Sequence, residues 1–202
     1  MKFLTLIPIL ALPLFAESPT PSCCEHEEKP AAAAVSDESI YQLDATWTNQ
    51  DGKKLTIADL KGRPVLITMG YATCKFACPR LAADLMAIEK SFTEAERKQF
   101  SIVFVSIDPE RDTPQQLKTF LSQYPVDQSR WNGLTGNDDD VLELSVILGI
   151  RYRKVNETDF AHSNIISVLS PTGEIVHRQE GLGTDPTETI AILRGLLKKS
   201  AN

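Results

Sequence analysis

Two cysteines, Cys74 and Cys78, lie between an apolar run (Val65-Leu66-Ile67-Thr68-Met69) and a stretch of helical periodicity that opens at Pro79. A thiol on the first turn of a helix feels the positive end of the helix dipole, which lowers its pKa from the free value of about 8.5. Residues i and i+4 share a helix face, with Cβ atoms roughly 5–6 Å apart. Such a pair can grip one soft metal ion. With modest backbone adjustment it can instead close into a disulfide, which needs Cβ atoms about 3.8 Å apart. A third group is His162, in Asp159-Phe160-Ala161-His162-Ser163-Asn164, just before a predicted strand at Ile165–Leu169. Two thiolates and an imidazole form a soft-to-borderline ligand set. It suits copper in either oxidation state, and zinc less specifically. The plainer readings are a structural disulfide and a loop histidine bonded to backbone. The position of the thiols at a strand–helix junction argues against the first.

The elements that must position these groups follow from periodicity and punctuation. Leu43, Trp47, Leu55 and Ile57 flank the turn signal Asn49-Gln50-Asp51-Gly52, which predicts an N-terminal β-hairpin. Val65–Met69 and Ile102–Ile107 read as buried strands, and Leu81, Leu85, Ile88 and Phe92 give a helix over 79–92. Thr113 caps a helix with Pro114 at its first position and Gln116 placed to complete a capping box. Asp138–Leu148 is a further helix stopped by Gly149, and Arg151–Val155 is a short extended segment. Ile165–Leu169 and Ile175–Gln179 pair around Pro171-Thr172-Gly173. A last helix is capped by Asp185 and buries Ile190, Leu193 and Leu197. Two buried strands joined through a helix imply a parallel pair by right-handed crossover. The result is an α/β, thioredoxin-like layout: a central mixed sheet flanked by helices, with a dithiol at the start of the first major helix. Thioredoxins carry a proline in the loop that enters the strand facing the dithiol; here that place holds His162.

Three segments together resemble the Sco/SenC family. They are Gly70-Tyr71-Ala72-Thr73-Cys74-Lys75-Phe76-Ala77-Cys78-Pro79, Ser106-Ile107-Asp108-Pro109-Glu110-Arg111-Asp112-Thr113-Pro114, and His162-Ser163. The resemblance runs in order over roughly residues 40–198. It implies a thioredoxin-like fold and copper held by Cys74, Cys78 and His162. It also implies service in building the binuclear copper site of cytochrome c oxidase, with disulfide reduction by Cys74 and Cys78 as a related role. Two departures stand out. Many relatives have Pro-Asp after the first cysteine, where this chain has Lys75-Phe76, and Asp before the histidine, where it has Ala161. Lys75 favours thiolates but repels a cation, and Ala161 removes a neighbour that would orient the imidazole. Copper is therefore expected to be held less tightly than in typical relatives, with the redox role correspondingly larger.

The ends and the charge bound the rest. Met1-Lys2, the apolar run Phe3–Phe15 and Ala16 read as a cleaved secretory signal over residues 1–16, too short to span a bilayer. An uncleaved membrane anchor is the alternative. Residues 17–38 are rich in Pro, Glu, Ala and Ser and read as a linker or tail, and residues 39–202 as one domain. The tail holds Cys23, Cys24 and His26, readable as an auxiliary copper-catching segment or as thiols that simply oxidise after export. A net charge of −6 without a basic cluster argues against nucleic acid as a partner. The expected partners are a copper ion and the copper-site subunit of cytochrome c oxidase, or another copper or thiol protein. The expected location is periplasmic or otherwise extracytoplasmic. Asp108 and Arg111 are candidates for the site rim, and His177 for a solvent-facing strand position. Asn156-Glu157-Thr158 matches a glycosylation acceptor, a pattern too short and common to assign a glycan. A dithiol oxidoreductase without copper is the competing function. A peroxiredoxin-type peroxidase is disfavoured by Ile67 and Tyr71, where that chemistry wants proline and a hydroxyl residue.

Overall fold

A computed structural model describes residues 36–200. The expected signal, and Cys23, Cys24 and His26, lie outside the described residues. In chain order the domain runs through a hairpin, β1 (Trp47–Asn49) and β2 (Lys54–Leu55), then β3 (Val65–Gly70), α1 (Ala77–Lys90) and the one-turn α2 (Glu94–Arg97). There follow β4 (Ser101–Ser106), α3 (Pro114–Ser122), β5 (Trp131–Thr135) and α4 (Asp138–Leu148). It closes with β6 (Tyr152–Lys154), β7 (Phe160–His162), β8 (Ile165–Leu169), β9 (Ile175–Glu180) and α5 (Thr187–Ser200).

Seven strands form one mixed sheet in the order β2-β1-β5-β4-β3-β8-β9. The centre is parallel, with β3 beside β4 and β4 beside β5. The edges are antiparallel, through β8 and β9 on one side and the N-terminal hairpin on the other. Every residue of β3 and β4 is buried, as expected of strands covered on both faces. Leu81, Leu85 and Ile88 of α1, Leu117, Phe120 and Leu121 of α3, Val141, Leu144 and Leu148 of α4, and Leu193 and Leu197 of α5 complete the core.

Local chemistry sets the helix ends. The Thr113 hydroxyl accepts from Gln116 N (3.3 Å) ahead of Pro114. Asn137 Oδ1 accepts from Asp140 N (2.8 Å), and Asp138, Asp139 and Asp140 complement the positive end of α4. Gly149 ends that helix with φ 74°, the left-handed stop.

Three placements differ from the sequence reading. Trp131–Thr135 is a sheet strand although Asn132 and Gly133 are poor strand formers. The buried Gln50 side chain holds it, donating to Trp131 O (3.0 Å) and accepting from Gly133 N (2.9 Å). His162 lies not in a loop but on β7, which pairs with β6 as a separate two-stranded sheet. His177 is half-buried rather than solvent-facing, with Nε2 3.0 Å from the Thr189 hydroxyl of α5.

The last residue of β3 is Gly70, where a Cβ atom would meet Cys78 Sγ at 2.8 Å and the Phe104 ring at 2.9 Å. Only a residue without a side chain lets α1 bring its thiol this close to the strand. Gly70→Ala is expected to destabilise the domain by about 1–3 kcal/mol, the usual cost of overpacking. Urea unfolding checks this, and an unchanged midpoint would contradict it.

Candidate metal centre

The parallel register aligns Gly70 with Ser106, so β3 and β4 end level, and Ile107 N donates to Gly70 O (2.8 Å). Beyond Gly70 the chain turns through Tyr71 to Cys74 and enters α1. No side chain caps that helix at Phe76. Cys78 N instead donates to Cys74 Sγ (3.4 Å), so the sulfur takes the capping place and feels the dipole directly. Tyr71 N in turn donates to Cys78 Sγ (3.4 Å). Cys78 is fully buried, Cys74 is 9% exposed, and both are free thiols.

The hairpin β6–β7 brings the third group. His162 Nε2 lies 3.8 Å from Cys78 Sγ, and its Nδ1 is 3.0 Å from Ser163 O. The carbonyl can only accept, so Nδ1 carries the proton and Nε2 presents its lone pair to the sulfurs. The orienting role expected of a residue at 161 is therefore filled by the Ser163 backbone. Tyr71 walls the imidazole edge-on, with ring centroids 6.1 Å apart, and its hydroxyl accepts from Phe160 N (3.4 Å).

Sγ of Cys74, Sγ of Cys78 and a ring nitrogen of His162 all lie within 4.8 Å of one another. With metal–sulfur and metal–nitrogen bonds near 2.3 and 2.0 Å, a trigonal ion sets each sulfur about 3.7 Å from the nitrogen and the two sulfurs about 4.0 Å apart. The Cys78–His162 separation already meets that spacing. Two thiolates with a neutral imidazole suit copper best among the common ions.

The two thiols differ in acidity. The hydrogen bond from the Cys78 thiol, the largest cause, then the neighbouring His162 ring and the amides of Cys78 and Phe76, draw Cys74 down to about 3 against the cost of burial. The same thiol–thiolate bond, with burial second, pushes Cys78 far up. Cys74 is the thiolate and Cys78 the thiol that supports it.

Asp108 and Arg111 form an ion pair and supply none of the three donors. The sequence reading did not single out Asp112. It is buried, its Oδ2 accepts from Ala72 N (2.9 Å) and the Ser106 hydroxyl (2.6 Å), and its Oδ1 has no partner among the described residues. The clue was available, since Asp112 stands before the Thr113 cap and has no capping duty of its own. Asn156 organises the β6–β7 turn, its Oδ1 accepting from the amides of Thr158 and Asp159 (2.8 Å each). That use explains the Asn-Glu-Thr triplet without a glycan. Phe76, 87% exposed, borders an open groove of about 530 Å³ that Thr73, Lys75, Arg111, Thr158 and Asp159 also line.

The family model SCO1/SenC matches residues 35–198. The chain belongs to the SCO1/SenC family. The SCO1 protein homolog of Bacillus subtilis is 29% identical over 160 residues, covering 77% of this chain and 82% of that protein. The copper-bound ScoI structure of Bradyrhizobium japonicum is 27% identical with a TM-score of 0.61, covering 75% of this chain and 96% of that one. BsSco, a member of the Sco family of cytochrome c oxidase assembly proteins in which a disulfide switch is identified, is 27% identical with a TM-score of 0.67. That match covers 76% of this chain and 91% of that one.

In the reduced, metal-free protein, one thiolate should therefore be present well below neutral pH and the second only above the ordinary thiol range of about 8.5. The ultraviolet thiolate absorbance followed against pH checks this. Two thiols titrating together near that value would contradict it. The linkage has a matching sign. Cys74, with its pKa lowered from 9.0 to about 3, contributes stability that is present above its unfolded value and is lost as pH falls through about 3.

Proposed function

We propose that this SCO1/SenC protein is an exported copper carrier. It holds one copper ion through Cys74, Cys78 and His162 and passes it to the copper site of cytochrome c oxidase. The single observation that carries the reading is the convergence of two sulfurs and a correctly oriented imidazole nitrogen within 4.8 Å. Copper in the related Bradyrhizobium structure and the oxidase-assembly role of the family of BsSco support the cargo and its destination. The Met1-Lys2 start and the apolar stretch to Phe15 support export. Among the described residues no helix is long and apolar enough to cross a membrane.

The donor set suits a carrier. Copper(I) is satisfied by two thiolates, whereas copper(II) gains from the imidazole. Cys78 is sealed and His162 is half-exposed, so exchange with an acceptor begins at the His162 side and ends at Cys78.

The acidity difference between the thiols favours a second reading, reduction of a partner's disulfide. The Cys74 thiolate attacks one sulfur of that disulfide, and the other sulfur leaves as a thiolate. Cys78 then gives up its proton and attacks Cys74 Sγ, releasing the second partner thiol and leaving a Cys74–Cys78 disulfide. Two electrons pass to the partner, and His162 is not required. The two roles are compatible, because copper loading in an oxidising compartment needs the pair reduced.

Anaerobic titration of the reduced protein should show one tightly bound copper, with Cys74→Ser removing most of the affinity for either copper state and His162→Ala most of that for copper(II). Undiminished affinity of His162→Ala for both copper states would refute the three-donor site. For the second reading, disulfide reduction should fail in each Cys→Ser variant. Equal activity in wild type and variants would exclude it.

A further inference from the structure

The loop that joins β4 to α3 touches both halves of the donor set. At one end Asp112 holds Ala72 N (2.9 Å), and so fixes the turn that leads to Cys74. At the other end Arg111 reaches the hairpin that carries His162. Its two terminal nitrogens donate to the carbonyls of Glu157 (3.0 Å) and Thr158 (2.8 Å), and its Nε pairs with Asp108, which is 3% exposed. Asp108 N in turn donates to the Ser106 hydroxyl (2.9 Å), which anchors the pair to the end of β4.

The hairpin needs such an anchor. Strands β6 and β7 make no ladder with the seven-stranded sheet. A two-stranded hairpin alone is marginal in water. Besides Arg111 the contacts are weaker: the Tyr71 hydroxyl accepts from Phe160 N at a long 3.4 Å and donates to Asp159 at 3.5 Å, the Tyr71 and Phe160 rings lie 5.3 Å apart, Lys154 Nζ is 3.9 Å from the exposed Glu110 carboxylate, and the Arg111 guanidinium lies 5.9 Å from the Phe160 ring centroid. Only a planar guanidinium can meet two successive carbonyls while its Nε keeps a carboxylate.

We infer that the Asp108–Arg111 pair is a positioning device: it clamps the β6–β7 turn so that His162 stays against the thiols, and it thereby sets the protein's preference between copper(II) and copper(I). The inference rests on the proposed copper reading. Copper(I) is content with two thiolates, so an imidazole that wanders weakens mainly the copper(II) form. Arg111 touches none of the donor atoms and acts only through His162.

Two variants test the clamp. Arg111→Lys keeps the charge beside Asp108 but loses the double grip on the carbonyls. The double variant Asp108→Asn/Arg111→Gln removes the clamp without leaving a buried carboxylate unpaired, a defect that would itself unfold the loop. In the metal-free protein, amide hydrogen exchange across Tyr152–His162 should quicken in both variants, while the amides of β4 stay protected. Copper(II) affinity should fall by about ten- to a hundred-fold, as for other outer partners of a metal ligand, with copper(I) affinity changing by less than about threefold. A tenfold split raises the copper(II)/copper(I) potential by about 59 mV.

Unchanged exchange of the hairpin in both variants would overturn the clamp. So would equal losses for the two copper states, which would mark a general loosening of the site. If His162→Ala leaves copper(II) affinity intact, the three-donor reading fails instead, and the exchange result on metal-free protein still decides the clamp.

Discussion

The parallel pairing of β3 with β4 is the constraint from which the rest of the site follows. Because Gly70 and Ser106 share a register position, the dithiol loop and the Asp108–Asp112 loop leave the sheet side by side. The buried Asp112 carboxylate ties them, bonding the Ser106 hydroxyl of one and the Ala72 amide of the other. A slip of one residue would turn the alternating side chains of β4 to the opposite face, moving Ser106 out of reach of Asp112. The absence of a side chain at Gly70 then lets Cys78 settle onto the strand end. The helix N-terminus supplies an amide to Cys74, and the two thiols separate in acidity.

Onto this frame the hairpin adds the imidazole. Its orientation owes nothing to residue 161, because the Ser163 carbonyl fixes the ring's proton on Nδ1. With Lys75, Phe76 and Ala161 in place the three side chains still converge, and backbone groups hold them there. What those positions change is the surroundings. Phe76 is exposed, and with Lys75 it borders the groove beside the thiols.

Much of this was legible in the sequence because it rests on local rules. Val65–Met69, Ile102–Ile107 and Ile165–Leu169 are apolar runs broken only by the small hydroxyl residues Thr68, Ser106 and Ser167, and each falls on a buried strand. Thr113-Pro114 and Asp138–Gly149 announce helix ends by cap chemistry that acts within a turn. Cys74, Cys78 and His162, which the structure brings within 4.8 Å of one another, were singled out by residue type and order. What escaped depends on partners distant in sequence. β5 contains Asn132 and Gly133 and is a strand because Gln50, some eighty residues earlier, satisfies its backbone. The strands β6 and β7 are short, half polar and partly exposed, so neither period nor propensity marks them. Their turn is set by Asn156 and their placement by Arg111. Asp112 hid inside a motif whose neighbours are explained by helix capping, and His177 took its partner from a helix ten residues on.

X-ray absorption at the copper edge of the thiol-reduced, copper(II)-loaded protein, with and without His162→Ala, tests the central claim most directly. The account predicts two sulfur scatterers and one imidazole nitrogen on a single copper, with loss of the imidazole signal alone in the variant. Copper without sulfur neighbours, or an imidazole signal that survives removal of His162, would contradict it.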